Sequence, residues 1–319
     1  MTTPQTIETE SKEPLPEISV VIPVYRSAKI LPDTLRELDE FFSDHSMTHE
    51  IIFVNDGSPD NSWEVLEELK GNRHDVIIID LMRNFGQHNA MMCGLEHSRG
   101  EFVVTMDDDL QNPPKEIIHL VKRINEGFDV VFGKFEQKMH GSIRRLGSKV
   151  VGWLNTKLFK KPPELTLTNF RIIRRSVVDA VCEFRTASPY LPGILLMTAR
   201  SFGNVEVEHR PRAEGESNYT VMVITKLVWR IVFNYSAFPL RLLCGIGLTM
   251  SLTAFLFGCF VLAKKLIYGV QEPGWTTLVV LISFFQGLTL IILSALGEYL
   301  VRILNDVSGP RAYRIRKVK

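Results

Sequence analysis

Short runs of apolar, β-forming residues alternate with helical segments along the N-terminal part of this chain. We predict strands at Ile18–Val24, Glu50–Val54, Val76–Leu81, Glu101–Met106 and Asp129–Phe132, and helices at Pro32–Phe42, Ser62–Lys70, Gln87–His97 and Pro114–Glu126. The predicted strands are continuously apolar, whereas a strand with one solvated face alternates apolar and polar residues. The pattern therefore predicts an α/β fold in which helices cover both sides of a mainly parallel sheet.

Polar residues follow each of the first four predicted strands. Tyr25 follows the first strand, Asp56 the second, the segment Arg83–Gly86 the third, and three aspartates, Asp107–Asp109, the fourth. Because open α/β sheets bind ligands at the carboxyl ends of their strands, we expect these residues to line one crevice. The chain has no Gly-x-Gly-x-x-Gly motif and no P-loop motif, so neither a dinucleotide cofactor nor a P-loop nucleotide is indicated. For Asp56, helix capping is an alternative interpretation.

The three consecutive aspartates at Asp107–Asp109 are the strongest chemical signal. Neighbouring carboxylates repel each other unless a positive charge lies among them. Mg²⁺ or Mn²⁺ takes oxygen ligands and bridges carboxylates to the phosphate oxygens of a substrate. A solvated acidic turn is the alternative, and the position at a strand end favours a site. An Asp-x-Asp phosphatase is a remote further alternative, which the following Leu110-Gln111 does not support.

Composition excludes several classes of protein. The net charge of +1 gives no overall field that attracts nucleic acid, so we predict no nucleic-acid partner. The four cysteines have neither disulfide nor metal-ligand spacing and are predicted to be small core residues. Residues 1–16 are polar and acidic and lack the apolar centre of a signal peptide, so they are predicted to be a disordered cytosolic extension.

Two uncharged apolar stretches near the C-terminus predict membrane spans, at Leu242–Ala263 and Trp275–Gly297. A buried helical hairpin in a soluble protein is the alternative. Basic residues are frequent after the second stretch, whereas the short loop between the stretches has only Lys264 and Lys265 against Glu272. The positive-inside rule therefore places both termini and the N-terminal domain in the cytoplasm. The protein is predicted to be a multi-pass protein of the inner membrane.

The segment Tyr219–Phe238 predicts an interfacial helix next to the first span. Lys226, Arg230 and Asn234 recur at a spacing of four among apolar residues, which suits a helix at the level of the lipid headgroups. An ordinary amphipathic surface helix is the alternative.

These motifs, in this order, resemble a known family. The resemblance rests on Val21–Tyr25, Val54–Ser58, Arg83–Gln87, Asp107–Pro114, Gly215–Ser217 before Tyr219, and Gly297–Tyr299. From about Ile18 to the tail, the chain is similar to inverting glycosyltransferases of family 2 with the GT-A fold, in the branch that acts on polyprenyl phosphates. The resemblance implies a nucleotide-sugar donor, a divalent cation (Mg²⁺ or Mn²⁺), a polyprenyl phosphate acceptor at the bilayer, and a homo-oligomer such as a tetramer.

With that resemblance, the domain prediction is as follows. Residues 1–16 are a disordered extension, 17–215 a Rossmann-like GT-A catalytic domain, 216–240 an interfacial helix, 241–300 a transmembrane hairpin, and 301–319 a basic cytoplasmic tail.

The resemblance also implies roles for individual residues. Pro23, Tyr25 and Asp56 would line the nucleoside pocket, with Arg83 and Gly86 beside them in the donor site. Asp107, Asp109 and Gln111 would hold the metal on the donor diphosphate, and Asp108 would face the ribose or the sugar. Arg212 and Ser217 would reach the donor diphosphate, and Lys134, Arg144 and Ser148 the acceptor phosphate.

The chain departs from the family pattern at two informative places. Arg26-Ser27 stand where relatives have Asn-Glu, which leaves the base open although the resemblance implies uracil. Asn169 stands where relatives have an aspartate, the usual candidate base, and an amide cannot accept a proton. A phosphate monoester has a second pKa near ~6, so the acceptor is already largely ionised and needs no strong base. Asn169 is therefore kept as a catalytic candidate that orients the acceptor or the sugar.

The predicted function is inverting transfer of a sugar from a UDP-sugar to undecaprenyl phosphate at the cytoplasmic membrane face, for cell-surface glycan or lipid modification. A processive polysaccharide synthase is one alternative, but it carries a Gln-x-x-Arg-Trp motif and more spans. A catalytically weak or inactive membrane adaptor that binds nucleotide sugar is the other, and Asn169 is the residue that keeps it open.

Overall fold

The computed structural model describes residues 15–135, 142–184, 186, 189–210, 225, 228–229, 231–232, 235–236, 238–268, 274–308 and 313–319. In these residues, eight strands form one sheet. The strands are β1 (Ile18–Val24), β2 (His49–Asn55), β3 (Val76–Leu81), β4 (Phe102–Thr105), β5 (Val130–Lys134), β6 (Arg171–Arg174), β7 (Phe202–Glu206) and β8 (Ile315–Val318).

The sheet has the strand order β7-β5-β6-β4-β1-β2-β3-β8. Strands β4, β1, β2 and β3 are parallel, and β5 is parallel to β7. Strand β6 is antiparallel to both of its neighbours, and β8 is antiparallel to β3. The α/β prediction is confirmed and the parallel sheet holds for β1 to β4, whereas the sheet as a whole is mixed.

The helices are α1 (Leu31–His45), α2 (Ser62–Lys70), α3 (Gln87–His97), α4 (Ile117–Ile124), α5 (Ser142–Phe159), α6 (Arg175–Cys182), α7 (Leu191–Thr198), α8 (Phe238–Tyr268) and α9 (Trp275–Ser308). The predicted helices α2 and α3 have the observed bounds. The segment predicted as Pro114–Glu126 is a short 3₁₀ turn, Pro114–Glu116, followed by α4.

Alternate residues of the central strands face two separate apolar layers. Val21, Ile52 and Val54 pack with α3, α6 and α7 on one side, and Val20 and Ile51 pack with α1 and α4 on the other. Helix α3 packs very close to the sheet at Gly94. A Cβ at this position would lie 2.2 Å from Cγ1 of Val21. Burial on both faces explains why the strands are continuously apolar.

The two predicted membrane spans fall within α8 and α9. Among the described residues, no helix combines the length and the apolar character that crossing a bilayer requires. The spans are therefore not confirmed.

The segment between the catalytic domain and α8 packs on the sheet-covering helices where it is described. Ile231 is fully buried, and Val228, Val232 and Tyr235 pack against the same core as α3 and α7, while Trp229 is exposed. The basic stripe predicted here, Lys226, Arg230 and Asn234, lies outside the described residues.

The C-terminal residues do not form a separate tail from residue 301 onward. Helix α9 continues to Ser308, and after 309–312 the chain returns to the sheet as β8 at the edge beside β3. Tyr313, just before β8, is buried in the core on the α3 side.

Candidate active site

Asp56, at the end of β2, connects the ends of three strands. Its carboxylate accepts backbone hydrogen bonds from Phe85 (2.7 Å) and Gly86 (2.8 Å), and its own N–H donates to the carbonyl of Val24 at 2.9 Å. Burial raises the pKa of Asp56, and the two backbone donors oppose that rise. Helix α2 begins after Asn61, so Asp56 does not cap it.

The loops after β2 and β3 touch backbone to backbone. Gly57 has a φ of +59°, and a Cβ there would lie 2.4 Å from the carbonyl carbon of Arg83. Only glycine allows both the left-handed conformation and this approach. The Arg83 side chain is exposed, and its guanidinium lies 5.0 Å from the centroid of the Phe85 ring. Gly86, with a φ of +92°, precedes the first turn of α3.

Asp107 receives side-chain amides from two directions. Nε2 of Gln87, at the start of α3, donates to its Oδ1 at 2.5 Å, and Nδ2 of Asn169 lies 3.3 Å from each of its carboxylate oxygens. Burial, followed by repulsion from Asp109, raises the pKa of Asp107 to about 6. Asn169 therefore faces the acidic turn, and as a neutral donor it offsets part of that repulsion.

Asp108 contacts the loop that follows β1. Its Oδ2 accepts hydrogen bonds from the backbone N–H of Tyr25 at 3.3 Å and from the hydroxyl of Ser27. Arg26 has a φ of +59° and its N–H donates to Oγ of Ser58 at 3.2 Å. Burial is the main cause that raises the pKa of Asp108 to about 7. The Arg26-Ser27 departure from the family pattern thus shapes the acidic turn itself.

The acidic turn is closed by local geometry. The N–H of Gln111 donates to Oδ1 of Asp109 at 3.2 Å, and Leu110 adopts a φ of +53°. The carbonyl of Gln111 accepts the N–H of Arg210 at 2.7 Å, and Arg210 makes two contacts with Glu37 at 2.8 and 3.0 Å. The chain leading to residues 211–220 is therefore fixed beside the acidic turn.

Arg171, behind the acidic turn, is a functional candidate that sequence reasoning missed. It is fully buried on β6, its Nε donates to Oγ1 of Thr105 at 3.0 Å, and that hydroxyl donates to the carbonyl of Asn169 at 2.7 Å. Its Nη1 and Nη2 have no hydrogen-bond partner among the described residues. Burial lowers the pKa of Arg171 to about 10, and Asp107 acts against that change. A buried cation thus stands behind the carboxylates, joined to Asn169 through Thr105.

The structure describes the other predicted site residues only in part. Pro23 is buried in β1, and Lys134 is exposed at the end of β5. Arg144 and Ser148 lie one turn apart in α5, and their side chains are outside the described part of the chain. Arg212 and Ser217 lie outside the described residues altogether.

Two further contacts were only partly visible in the sequence. Gln87 belongs to the motif quoted for the resemblance, yet its bond to Asp107 depends on how the β3 loop turns into α3. Ser27 is recognisable only as a departure from the family pattern, and its contact with Asp108 joins positions far apart in the chain.

The described residues contain no ready-formed group of three His, Cys, Asp or Glu side chains that would hold a metal ion. They do present Asp107 and Asp109 on one turn, and the proximity of Asp109 raises the pKa of Asp107. Mg²⁺ is commonly held by one or two carboxylates together with substrate phosphates, so this donor set fits a divalent cation that arrives with a diphosphate. Asp107 and Asp109 would be its ligands, with Gln111 beside them.

Comparison with known proteins bears on the family. The model of the family "Glycosyl transferase family 2" matches residues 19–181. This chain belongs to that family. It is 34% identical to the undecaprenyl-phosphate 4-deoxy-4-formamido-L-arabinose transferase of Proteus mirabilis strain HI4320, over 96% of this chain and 95% of the relative. Its identity to the enzyme of the same name from Pseudomonas aeruginosa strain LESB58 is 36%, over 96% and 91%. The predicted resemblance to the polyprenyl-phosphate branch is confirmed.

Solved structures support the fold. Glucosyl-3-phosphoglycerate synthase from Mycobacterium tuberculosis, in complex with Mn²⁺, UDP and phosphoglyceric acid, superposes with a TM-score of 0.52 at 18% identity, covering 68% of this chain and 76% of that one. The same enzyme with Mn²⁺, UDP-glucose and phosphoglyceric acid gives a TM-score of 0.51 at 16% identity, covering 68% and 77%. The Rossmann-like GT-A architecture that the family resemblance implied is therefore confirmed.

Proposed function

We propose that this protein transfers a sugar from a nucleoside diphosphate donor, a UDP-sugar, to undecaprenyl phosphate at the cytoplasmic face of the membrane, with inversion at the anomeric carbon. The observation that carries the proposal is the meeting of motifs at one sheet edge. Asp56 binds the β3 loop, Asp108 binds the β1 loop, and Asp107 is contacted by Gln87 and Asn169.

Each part of this edge has a task in the proposed reaction. The hydrogen-bonded loops around Asp56 hold the nucleoside, and Asp107 and Asp109 would hold a divalent cation on the donor diphosphate. A bound divalent cation would neutralise charge on the departing diphosphate. Arg212 and Ser217 are proposed to contact the same diphosphate, and Lys134, Arg144 and Ser148 the lipid phosphate.

Proton transfer is not required of Asn169. A phosphate oxygen of the acceptor attacks the anomeric carbon, the bond to the donor diphosphate breaks, and the electron pair leaves with the diphosphate. Because the acceptor phosphate is already ionised near neutral pH, no base has to remove a proton from it. Asn169, fixed through Thr105 and facing Asp107, orients groups at the acidic turn by hydrogen bonding.

The relatives narrow the choice of sugar. Both named relatives are transferases of 4-deoxy-4-formamido-L-arabinose, and they align along nearly the whole chain. We take the nucleotide derivative of this sugar as the first donor to test.

That the protein forms a homo-oligomer remains a prediction.

The membrane arrangement belongs to the same proposal. Helices α8 and α9 contain the predicted spans, and the chain on either side of them contributes strands to one sheet, β1 to β7 before and β8 after. Segments of one sheet lie on one side of a membrane, so an even number of crossings is required. A tag near Gln271 should then be reachable only from outside and a tag after Lys319 only from the cytoplasm. The reverse labelling would overturn the orientation.

The test of function is transfer by membranes that contain this protein. A panel of nucleotide sugars, including UDP-4-deoxy-4-formamido-L-arabinose, is incubated with undecaprenyl phosphate, and lipid products are identified by mass spectrometry. We expect one donor to give a glycosyl undecaprenyl phosphate, with an Asp107→Asn preparation as the inactive control. Absence of lipid product with every donor would contradict the proposal.

A weak or inactive membrane adaptor is the second candidate function. The amide of Asn169 favours it, since the family pattern that the motifs resemble has a carboxylate at this position. Release of free nucleoside diphosphate separates the candidates. An adaptor binds the nucleotide sugar without turnover, whereas the enzyme releases the diphosphate only when undecaprenyl phosphate is present.

A further inference from the structure

The C-terminal strand β8 lies at one edge of the sheet and runs antiparallel to β3. It pairs with β3 in the register Ile79↔Val318 and Asp80↔Lys317. Ile78 and Lys319 exchange two backbone hydrogen bonds of 3.0 Å each. Strand β8 thus covers the sheet edge next to the loop that carries Arg83 and Gly86.

Arg316 of β8 bonds to the end of β3. Its Nη1 lies 3.1 Å from Oδ2 of Asp80, and its Nη2 donates to the carbonyl of Met82 at 2.9 Å. The N–H of Met82 donates in turn to the carbonyl of Arg314 at 2.9 Å. Met82 directly precedes Arg83, so β8 and the residue just before it hold the start of the β3 loop at both its N–H and its carbonyl.

Asp80 links Arg316 to β2 through a hydrogen bond with Asn55. Its side chain is 4% exposed, and its Oδ1 accepts Nδ2 of Asn55 at 2.8 Å. Oδ1 of Asn55 accepts the N–H of Ser58 at 3.3 Å. Asn55 and Ser58 bracket Asp56 and Gly57, the residues that meet the β3 loop. A continuous chain of polar contacts therefore runs from Arg316 to both loops assigned to the nucleoside.

The two lysines that follow Arg316 contact a different part of the fold. Lys317 and Lys319 both pair with Glu67 on α2, at 2.9 and 2.5 Å. Glu67 is partly exposed whereas Asp80 is buried, so these pairs contribute less than the contact of Arg316. They do not connect to the loops after β2 and β3 and so provide matched comparisons for Arg316.

We propose that β8 is a positioning element of the donor site and that Arg316, acting through Asp80 and Asn55, sets the conformation of the two nucleoside loops. The inference rests on the proposed function, because it assumes that these loops hold the nucleoside of the donor. Since 309–312 are all that separate α9 from Tyr313, the same strand ties the end of the last helix to the donor site.

The test compares full-length variants in nucleotide binding. Wild-type protein is titrated with UDP, CDP, GDP and ADP in the presence of Mn²⁺ by calorimetry, and the tightest ligand is used for the variants. Arg316→Ala should weaken that ligand about tenfold, the size expected for losing a charge-assisted contact to a buried carboxylate. The KM for undecaprenyl phosphate should stay within about twofold, because the acceptor site is elsewhere.

Two controls, one in β8 and one just before it, separate positioning from general loss of the strand. Lys317→Ala removes a cation that pairs with Glu67, and Arg314→Ala removes one whose side chain is exposed. Both should bind the nucleotide like wild type. In the double variant Arg316→Ala/Asn55→Ala, binding should be no weaker than in Asn55→Ala alone, because both changes interrupt one path. Thermal unfolding of each variant reports whether the fold is kept.

The outcomes are distinct. Equal nucleotide affinity in Arg316→Ala and wild type, or an equal rise in the KM of the lipid, would overturn the positioning role while leaving the transferase function intact. Weakening of the same size in Lys317→Ala would show a general effect of the strand and also overturn the role of Arg316. Failure of the wild type to bind any nucleoside diphosphate would instead overturn the proposed function, and this inference with it.

Discussion

Replacing Asn169 by aspartate introduces the residue of the family pattern and places a second carboxylate against Asp107. Nδ2 of Asn169 lies 3.3 Å from both Asp107 oxygens, so the new oxygen would take this position. At 3.3 Å the repulsion is about 5 kcal/mol at an effective dielectric constant of ~20, and about 1.3 kcal/mol at the ~80 of water. Both groups are only partly buried, so screening favours the lower figure, which corresponds to a rise of about one pKa unit.

The expected consequence is a change in pH dependence. The pKa of Asp107 is raised to about 6 in the native chain, and its ionised form is the one that would hold a divalent cation on the diphosphate. Activity that needs this ionised form is present above the pKa and is lost as the pH falls through it. We therefore expect Asn169→Asp to move the acid limb of kcat/KM for the donor upward by about one unit. Turnover well above that limb should stay within roughly tenfold of the native rate.

The assay is kcat/KM for the nucleotide sugar from pH 5 to 9, with Asn169→Ala as control. Alanine removes the amide donor without adding a charge, so its acid limb should move less than that of the aspartate variant. An acid limb that does not move in Asn169→Asp would refute the contact with Asp107. A gain of ~100-fold or more at high pH would show that transfer needs a base that the native chain lacks.

Three further results are expected. Excess EDTA, or Asp109→Asn, should abolish transfer, because an amide cannot supply the charge that a divalent ion on a diphosphate requires; full activity in EDTA would contradict the metal assignment. Arg144→Ala should raise the KM for the lipid about tenfold or more with the donor KM unchanged, whereas Lys157→Ala on the same helix should change neither; equal loss of donor binding would mean the phosphate sites are wrongly assigned. Gly57→Ala should weaken nucleotide binding at least tenfold in calorimetry, since its Cβ would sit 2.4 Å from the backbone of Arg83 with a φ of +59°; near-native affinity would show that these loops do not hold the nucleoside.

The part of the fold that follows from local pattern was predictable. Strands β1 and β3 have the predicted bounds, because a buried strand between two layers has to be apolar throughout. Helices α2 and α3 also have the predicted bounds. Strands β6, β7 and β8 were not predicted. Each is four or five residues long and contains polar side chains, and each depends on pairing with a strand distant in sequence. The basic residues of β8 resemble a tail until Asp80 and Glu67 are seen opposite them.

The candidate site divides in the same way. That Asp56 and Asp107 would meet at one edge followed from the rule for strand ends. The contacts that give the site its shape did not follow, because Ser27, Gln87 and Asn169 reach the acidic residues through loops whose paths are set by tertiary packing. Arg171 was missed since an arginine is rarely buried, and its sequence motif gives no sign of its depth.

The most direct test of the central claim is the stoichiometry and stereochemistry of transfer by the purified protein. With the donor selected from the panel and undecaprenyl phosphate, nucleoside diphosphate release and glycosyl lipid are quantified together, and the anomeric configuration of the lipid product is determined by NMR. The account predicts one nucleoside diphosphate released per glycosyl undecaprenyl phosphate formed, with the anomeric configuration opposite to that of the donor. Release without lipid product, or a product that retains the configuration of the donor, would contradict it.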